Sequence, residues 1–206
     1  MKKSIWLMVV LAAALVAVPS ARAETPPGGE GTRVVREANA TVRDLLRRQV
    51  EPGSPAEKKL AAQVTRRVRD FLDIDRLGEQ AMRDHWAGLS SRERREFLRL
   101  LRGLVEANYV KALRANLDYQ VRYLGEEAAP GGGLVVKTEI VVQRHGRPRA
   151  ISIDYLLAKD GRAWRASDVV TDGVGLVENY RAQFNKIIGK DGFDGLLARM
   201  KKKRAA

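Results

Sequence analysis

The chain has 206 residues, with 38 Lys plus Arg against 25 Asp plus Glu, a formal net charge of +13 and no cysteine. That length allows one domain with a substantial core, and the lack of cysteine excludes disulfide bridges, a thiol nucleophile and lipid attachment through an N-terminal cysteine. The positive balance favours anionic partners by long-range attraction.

At the N-terminus, Lys2 and Lys3 precede an apolar run from Ile5 to Val18 and the small-residue triplet Ala21-Arg22-Ala23. This pattern predicts a secretory signal peptide over residues 1–23, cleaved after Ala23 to release the protein into the periplasm; roughly 14 apolar residues are too few for a membrane span of about 20. Loss of Lys2, Lys3 and Arg22 lowers the net charge to about +10. For an exported protein the anionic partners at hand are phospholipid headgroups and acidic protein surfaces, not nucleic acid. No second apolar run of spanning length follows, so membrane contact is expected to be peripheral.

Residues 24–31 are rich in Pro and Gly and read as a flexible leader. A single domain is expected over 32–200, beginning with a helical portion. Its first helix places Val34, Val35, Ala38, Val42, Leu45 and Leu46 on one face, and Pro52-Gly53 stops it. Ser54-Pro55-Ala56-Glu57 is a capping box with proline at the first helical position, opening a helix that carries Leu60, Val64, Val68, Phe71 and Leu72 inward. Asp73 and Asp75 are read as caps of a short third helix containing Leu77, Met82, His85 and Trp86. Ser90 with Glu93 forms a second capping box for the longest helix, about residues 91–116, whose stripe includes Phe97, Leu98, Leu101, Leu104, Val105, Tyr109, Ala112 and Leu113.

The period then changes from helical to alternating. Strands are predicted from Tyr119, Val121 and Tyr123, over Leu134–Gln143 after the loop 130–133, through Ile151, Ile153, Tyr155 and Leu157, and over Trp164–Thr171. Turns at His145-Gly146-Arg147-Pro148 and Asp160-Gly161 join them into an antiparallel meander that Asp172-Gly173 ends. A helix over Leu176–Ile188 follows, closed by Gly189; a short one from Phe193 to about Met200 runs into the basic tail 201–206. Helices followed by strands define an α+β fold, with a four- or five-stranded antiparallel sheet packed against several helices.

Groups suited to acid–base chemistry are few. The only histidines are His85 and His145; a hydrogen-bonded structural role is expected for the first and a hairpin position for the second. No Gly-rich phosphate loop or pair of metal-spaced histidines occurs, so neither cofactor nor metal is expected. Asp154 and Asp168 fall in strands among apolar neighbours, where arginines of adjacent strands could pair with them.

The run Phe71-Leu72-Asp73-Ile74-Asp75-Arg76-Leu77, then His85-Trp86-Ala87-Gly88-Leu89-Ser90, Phe97, Asp168-Val169-Val170 through Gly173-Val174, and Asn179-Tyr180-Arg181-Ala182-Gln183-Phe184 resembles the MlaC family, also called the toluene-tolerance auxiliary or phospholipid-binding family. The order and spacing hold from about Thr32 to Met200. The resemblance implies a curved sheet of nuclear-transport-factor-like or cystatin-like type enclosing an apolar cavity. It further implies a monomeric periplasmic carrier, not an enzyme, with phospholipid as cargo. Such a carrier serves an outer-membrane lipoprotein complex and an inner-membrane ABC transporter complex with its substrate-binding membrane subunit.

Physical chemistry points the same way. Exposing acyl chains to water costs about 0.8 kcal/mol per methylene, more than about 20 kcal/mol for two long chains, so a carrier needs an enclosed apolar site. Its expected lining is Trp86, Leu101, Leu104, Tyr109, Ile153, Tyr155, Leu157, Val169, Tyr180 and Phe184, with Arg181 and Lys186 meeting headgroups. A bulky aromatic at Ile153 or Leu157 is then expected to displace a tail and leave the fold intact. The alternatives are an enzyme on the same scaffold using His85 or Asp168, a carrier of another lipid such as a hopanoid, and a module whose positive charge binds an acidic protein.

Overall fold

The computed structural model describes residues 28–112, 121–144 and 147–205. The signal peptide with its cleavage after Ala23, the side chain of Tyr109, Leu113, Tyr119 and the His145-Gly146 turn lie outside the described residues. Five helices precede the sheet: α1 (Glu30–Leu46), α2 (Pro55–Phe71), α3 (Ile74–Ala81), α4 (Arg83–Trp86) and α5 (Ser91–Ala112). Strands β1 (Val121–Ala129), β2 (Gly133–Arg144), β3 (Arg147–Asp160), β4 (Ala163–Thr171) and β5 (Val174–Gly175) follow, and then α6 (Leu176–Ala205). The strands form one antiparallel sheet in sequence order. Among the described residues no helix is long and apolar enough to cross a membrane.

The Ser90–Glu93 box forms as the sequence predicts, and at Ser54 the glutamate reaches one residue further back than a capping box requires. The Glu57 amide donates to Ser54 Oγ at 3.1 Å while its carboxylate accepts from the Gly53 amide at 2.8 Å. The Ser90 amide donates to the Glu93 carboxylate at 2.7 Å, and the Glu93 amide to Ser90 Oγ at 3.3 Å. Orphan donors of two helix starts are thereby satisfied, worth about 1 kcal/mol each.

Several details differ from the sequence expectations. The first helix begins at Glu30, inside the segment read as leader, because an acidic first residue suits the positive helix end and the Glu126 carboxylate of β1 accepts from the Thr32 amide at 2.6 Å. Asp73 caps α3 through the Arg76 amide, whereas Asp75 pairs with the Arg102 guanidinium of α5 and so ties two helices together. Met82, expected within one helix, is the fully buried joint between α3 and α4. Gly189 does not end α6; the break comes at Gly192, whose φ of 70° and ψ of 178° lie outside the range open to other residues. The basic tail continues that helix, with Lys201 donating to Glu96 at 2.6 Å. Asp172-Gly173 does not terminate the sheet. Both residues have positive φ (47° and 82°), the type I′ geometry that turns β4 back into the two-residue β5.

The sheet carries two bulges, one between Tyr123 and Gly125 in β1 and one between Leu156 and Leu157 at the β3–β4 pairing. Bulges bend a strand and raise its twist. Gly125, at φ 136°, allows the first of them. Helices α1, α2, α3 and α6 contact the sheet, while α5 packs on α2, α3 and α6 as an outer layer.

Candidate functional site

Alternation sets Leu134, Val136, Thr138 and Ile140 of β2 beside Leu157, Tyr155, Ile153 and Ile151 of β3 on one sheet face. This face divides in two. Val136, Leu157 and Ala166 belong to the contiguous core beneath the helices, and Tyr155 and Val169 pack against it. Ile140 is buried, at 2% exposure, yet lies outside that core, with half-buried Ile151 and Ile153 near it on β3. The buried Thr138 hydroxyl between them donates to the Ile153 carbonyl at 2.6 Å and is thereby satisfied. Ile140 is as fully covered as Leu157, so on this half only the half-buried Ile151 and Ile153 leave apolar area open.

The expected lining thus falls into two neighbourhoods. Ile153, Tyr155, Leu157 and Val169 share the sheet face. Leu101, Leu104, Tyr180 and Phe184 meet in the seam between α5 and α6, around a small pocket of about 20 Å³ closed by Ile187, Leu196 and Met200. There Phe184 stacks on Tyr180 and meets Phe97 edge-on, each at 5.4 Å between centroids, and Trp86 lies edge-on to Phe97 at 6.4 Å. Burial pushes the Tyr180 hydroxyl above its ordinary pKa.

Of the two residues expected to meet headgroups, Lys186 is exposed, while the Arg181 guanidinium is held by both carboxylate oxygens of Asp84 at 2.7 Å. Asn185 Nδ2 donates to the same carboxylate at 2.8 Å, and its Oδ1 accepts from His85 Nε2 at 3.0 Å. Arg181 and Asn185 lower the Asp84 pKa from 3.8 to about 2. A depressed carboxylate pKa contributes stability above the unfolded value, lost as pH falls through the folded one. The stability of Asp84→Asn should therefore fall less steeply than that of wild type between about pH 4 and pH 2, measured by acid unfolding at low ionic strength.

Among the described residues Asp168 has no arginine partner of the kind the sequence suggested. One carboxylate oxygen accepts from its own neighbour Val169 at 2.8 Å and from the Val177 amide in the first turn of α6 at 3.1 Å. It anchors that helix start to β4, and burial raises its pKa against the pull of these amides. Both residues of the enzymatic alternative, His85 and Asp168, thus make structural bonds. Among the described residues no cluster of three or more potential ligands suits a metal ion.

The sequence reading missed a third feature, a polar stripe of Thr32, Arg36, Asn39 and Arg43 along α1. Thr32 is tied to Glu126, and the Arg36 guanidinium lies 4.8 Å from the Tyr123 ring centroid. Asn39 donates to the Tyr123 hydroxyl at 3.4 Å and accepts from that of Tyr155 at 3.3 Å. Its only signal in the sequence is the spacing of 4, 3 and 4, which is also that of a solvated helix face.

Helices across one face of a bulged, open antiparallel sheet make this an α+β protein. The chain belongs to the MlaC family, whose model matches residues 36–202. It is 19% identical over 131 residues to the intermembrane phospholipid transport system binding protein MlaC of Haemophilus influenzae, a match covering 63% of this chain and 61% of that protein's length. Its fold is that of a phospholipid-binding protein from Ralstonia solanacearum solved in complex with a phospholipid. The TM-score is 0.69 at 22% identity, covering 86% of this chain and 98% of that one.

Proposed function

We propose that this protein is a periplasmic phospholipid carrier that performs no chemistry, holding acyl tails against the half of the sheet face around Ile151 and Ile153. The observation that carries this reading is membership in the MlaC family, together with the half-buried Ile151 and Ile153 on the sheet face beyond the core cluster. Membership supports the cargo class, since the Haemophilus relative is named for intermembrane phospholipid transport and the Ralstonia structure contains a phospholipid. The carrier is proposed to exchange its lipid with an outer-membrane lipoprotein complex and an inner-membrane ABC transporter complex. Its positive charge supports docking on acidic surfaces.

Organic extraction of the purified protein followed by mass spectrometry tests the reading. About one phospholipid per chain is expected, retained through washing in about 1 M salt, because buried tails are not held by screened charge. An empty protein that also takes up no lipid from vesicles would refute it.

A further inference from the structure

We infer that the polar stripe of α1 binds the phosphate of the cargo lipid through Arg36 and Arg43, at the rim of the sheet face; the assignment rests on the carrier reading above. Both side chains are half-buried, and Nη2 of Arg36 and Nε of Arg43, the atoms turned inward, have no hydrogen-bond acceptor among the described residues. A guanidinium cannot shed its charge to relieve this, since it stays protonated in proteins. A buried cationic donor without an acceptor is costly, and elsewhere in the fold guanidiniums hold carboxylates: Arg102 with Asp75, Arg165 with Asp160, Arg181 with Asp84. Among the described residues no carboxylate pairs with Arg36 or Arg43.

The stripe's position fixes what could supply the acceptor. Thr32 lies by Glu126 and Asn39 by Tyr123, so α1 runs antiparallel to β1. One helical turn beyond Asn39, Arg43 lies toward the end of β1 where Val121 pairs with Ile140. The two arginines therefore flank Asn39 along the side of the sheet face that carries the detached isoleucines. Asn39 is fixed by two tyrosine hydroxyls and Arg36 by the Tyr123 ring, so the cationic group is partly pre-organised. The planar fork of arginine matches two phosphate oxygens. An anionic phosphodiester joined to acyl tails satisfies the buried donors and covers the apolar face at once.

The test uses lipid-free protein incubated with vesicles containing equal amounts of dioleoylphosphatidylglycerol and dioleoylglycerol, which share tails and differ in the phosphate headgroup. After re-isolation the wild type should carry the phosphatidylglycerol in preference by about tenfold or more. The double variant Arg36→Met/Arg43→Met should load both lipids to within about twofold and, freed of unpaired buried charge, melt at or above the wild-type temperature when lipid-free. Arg36→Lys, which keeps the charge and loses the fork, should show an intermediate preference and serves if the double variant does not fold.

An undiminished preference in the variants overturns the inference, as does a wild type that loads the two lipids alike; the carrier reading survives either result. A wild type that loads neither lipid removes the carrier reading and this inference with it. Inorganic phosphate in large excess should leave the bound lipid in place. Its release, together with arginine-dependent phosphate binding by the lipid-free protein, would assign the site to free phosphate instead.

Discussion

Ile153→Trp should lower the phospholipid bound per protein severalfold and leave the melting transition of the lipid-free chain near wild type, whereas Leu157→Trp should do the opposite. Both residues lie on one strand face, and alternation alone predicts one outcome for both. The structure separates them. Leu157 is 2% exposed within the contiguous core, where the added ring must displace packed atoms at a cost of about 1–3 kcal/mol. Ile153 is half-buried and outside that core, paired with Thr138 on one side and Thr171 on the other, so an indole there occupies space proposed for a tail. Lipid load by extraction and lipid-free melting read the two quantities independently. Equal destabilisation by both substitutions would show that the isoleucine half is also close-packed core.

Phe184→Ala should cost the lipid-free protein about 3–5 kcal/mol, the usual range for deleting a buried aromatic ring, or roughly 6–20 °C in melting temperature for a domain of this size. Phe184 is 2% exposed and contacts Phe97 edge-on and Tyr180 by stacking, so its loss opens the seam joining α5 to α6. The pocket already there, about 20 Å³, is far too small for an acyl chain, which favours a packing role for Leu101, Leu104, Tyr180 and Phe184. Thermal unfolding of the delipidated variant measures the effect. A loss below about 1 kcal/mol, accompanied by reduced lipid load, would instead make this seam part of the lipid site.

Apart from these neighbourhoods, local chemistry determined much of the structure. The Ser54–Glu57 and Ser90–Glu93 pairs fix helix starts because both partners lie within four residues of one another, so no distant contact is needed. Alternation from Leu134 and from Ile151 fixed which side chains share a sheet face, and the sequence order of the strands followed from short connections. Family membership was equally legible, through the runs at Phe71–Leu77 and Asp168–Phe184.

Tertiary structure alone decided the division of that face and the partners of its charges. Whether Leu157 or Ile153 meets the core depends on where α1, α2 and α3 cross the sheet, which no periodicity records. Asp75 pairs with Arg102, 27 residues away, and Asp84 with Arg181, 97 residues away; Coulomb attraction and hydrogen bonding choose partners by distance in space, and sequence separation carries no trace of it. The α1 stripe shows the same limit most clearly. Thr32, Arg36, Asn39 and Arg43 have the composition of a solvated helix face, and only the approach of Glu126, Tyr123 and Tyr155 from the sheet covers them, leaving one buried nitrogen of each arginine without an acceptor among the described residues.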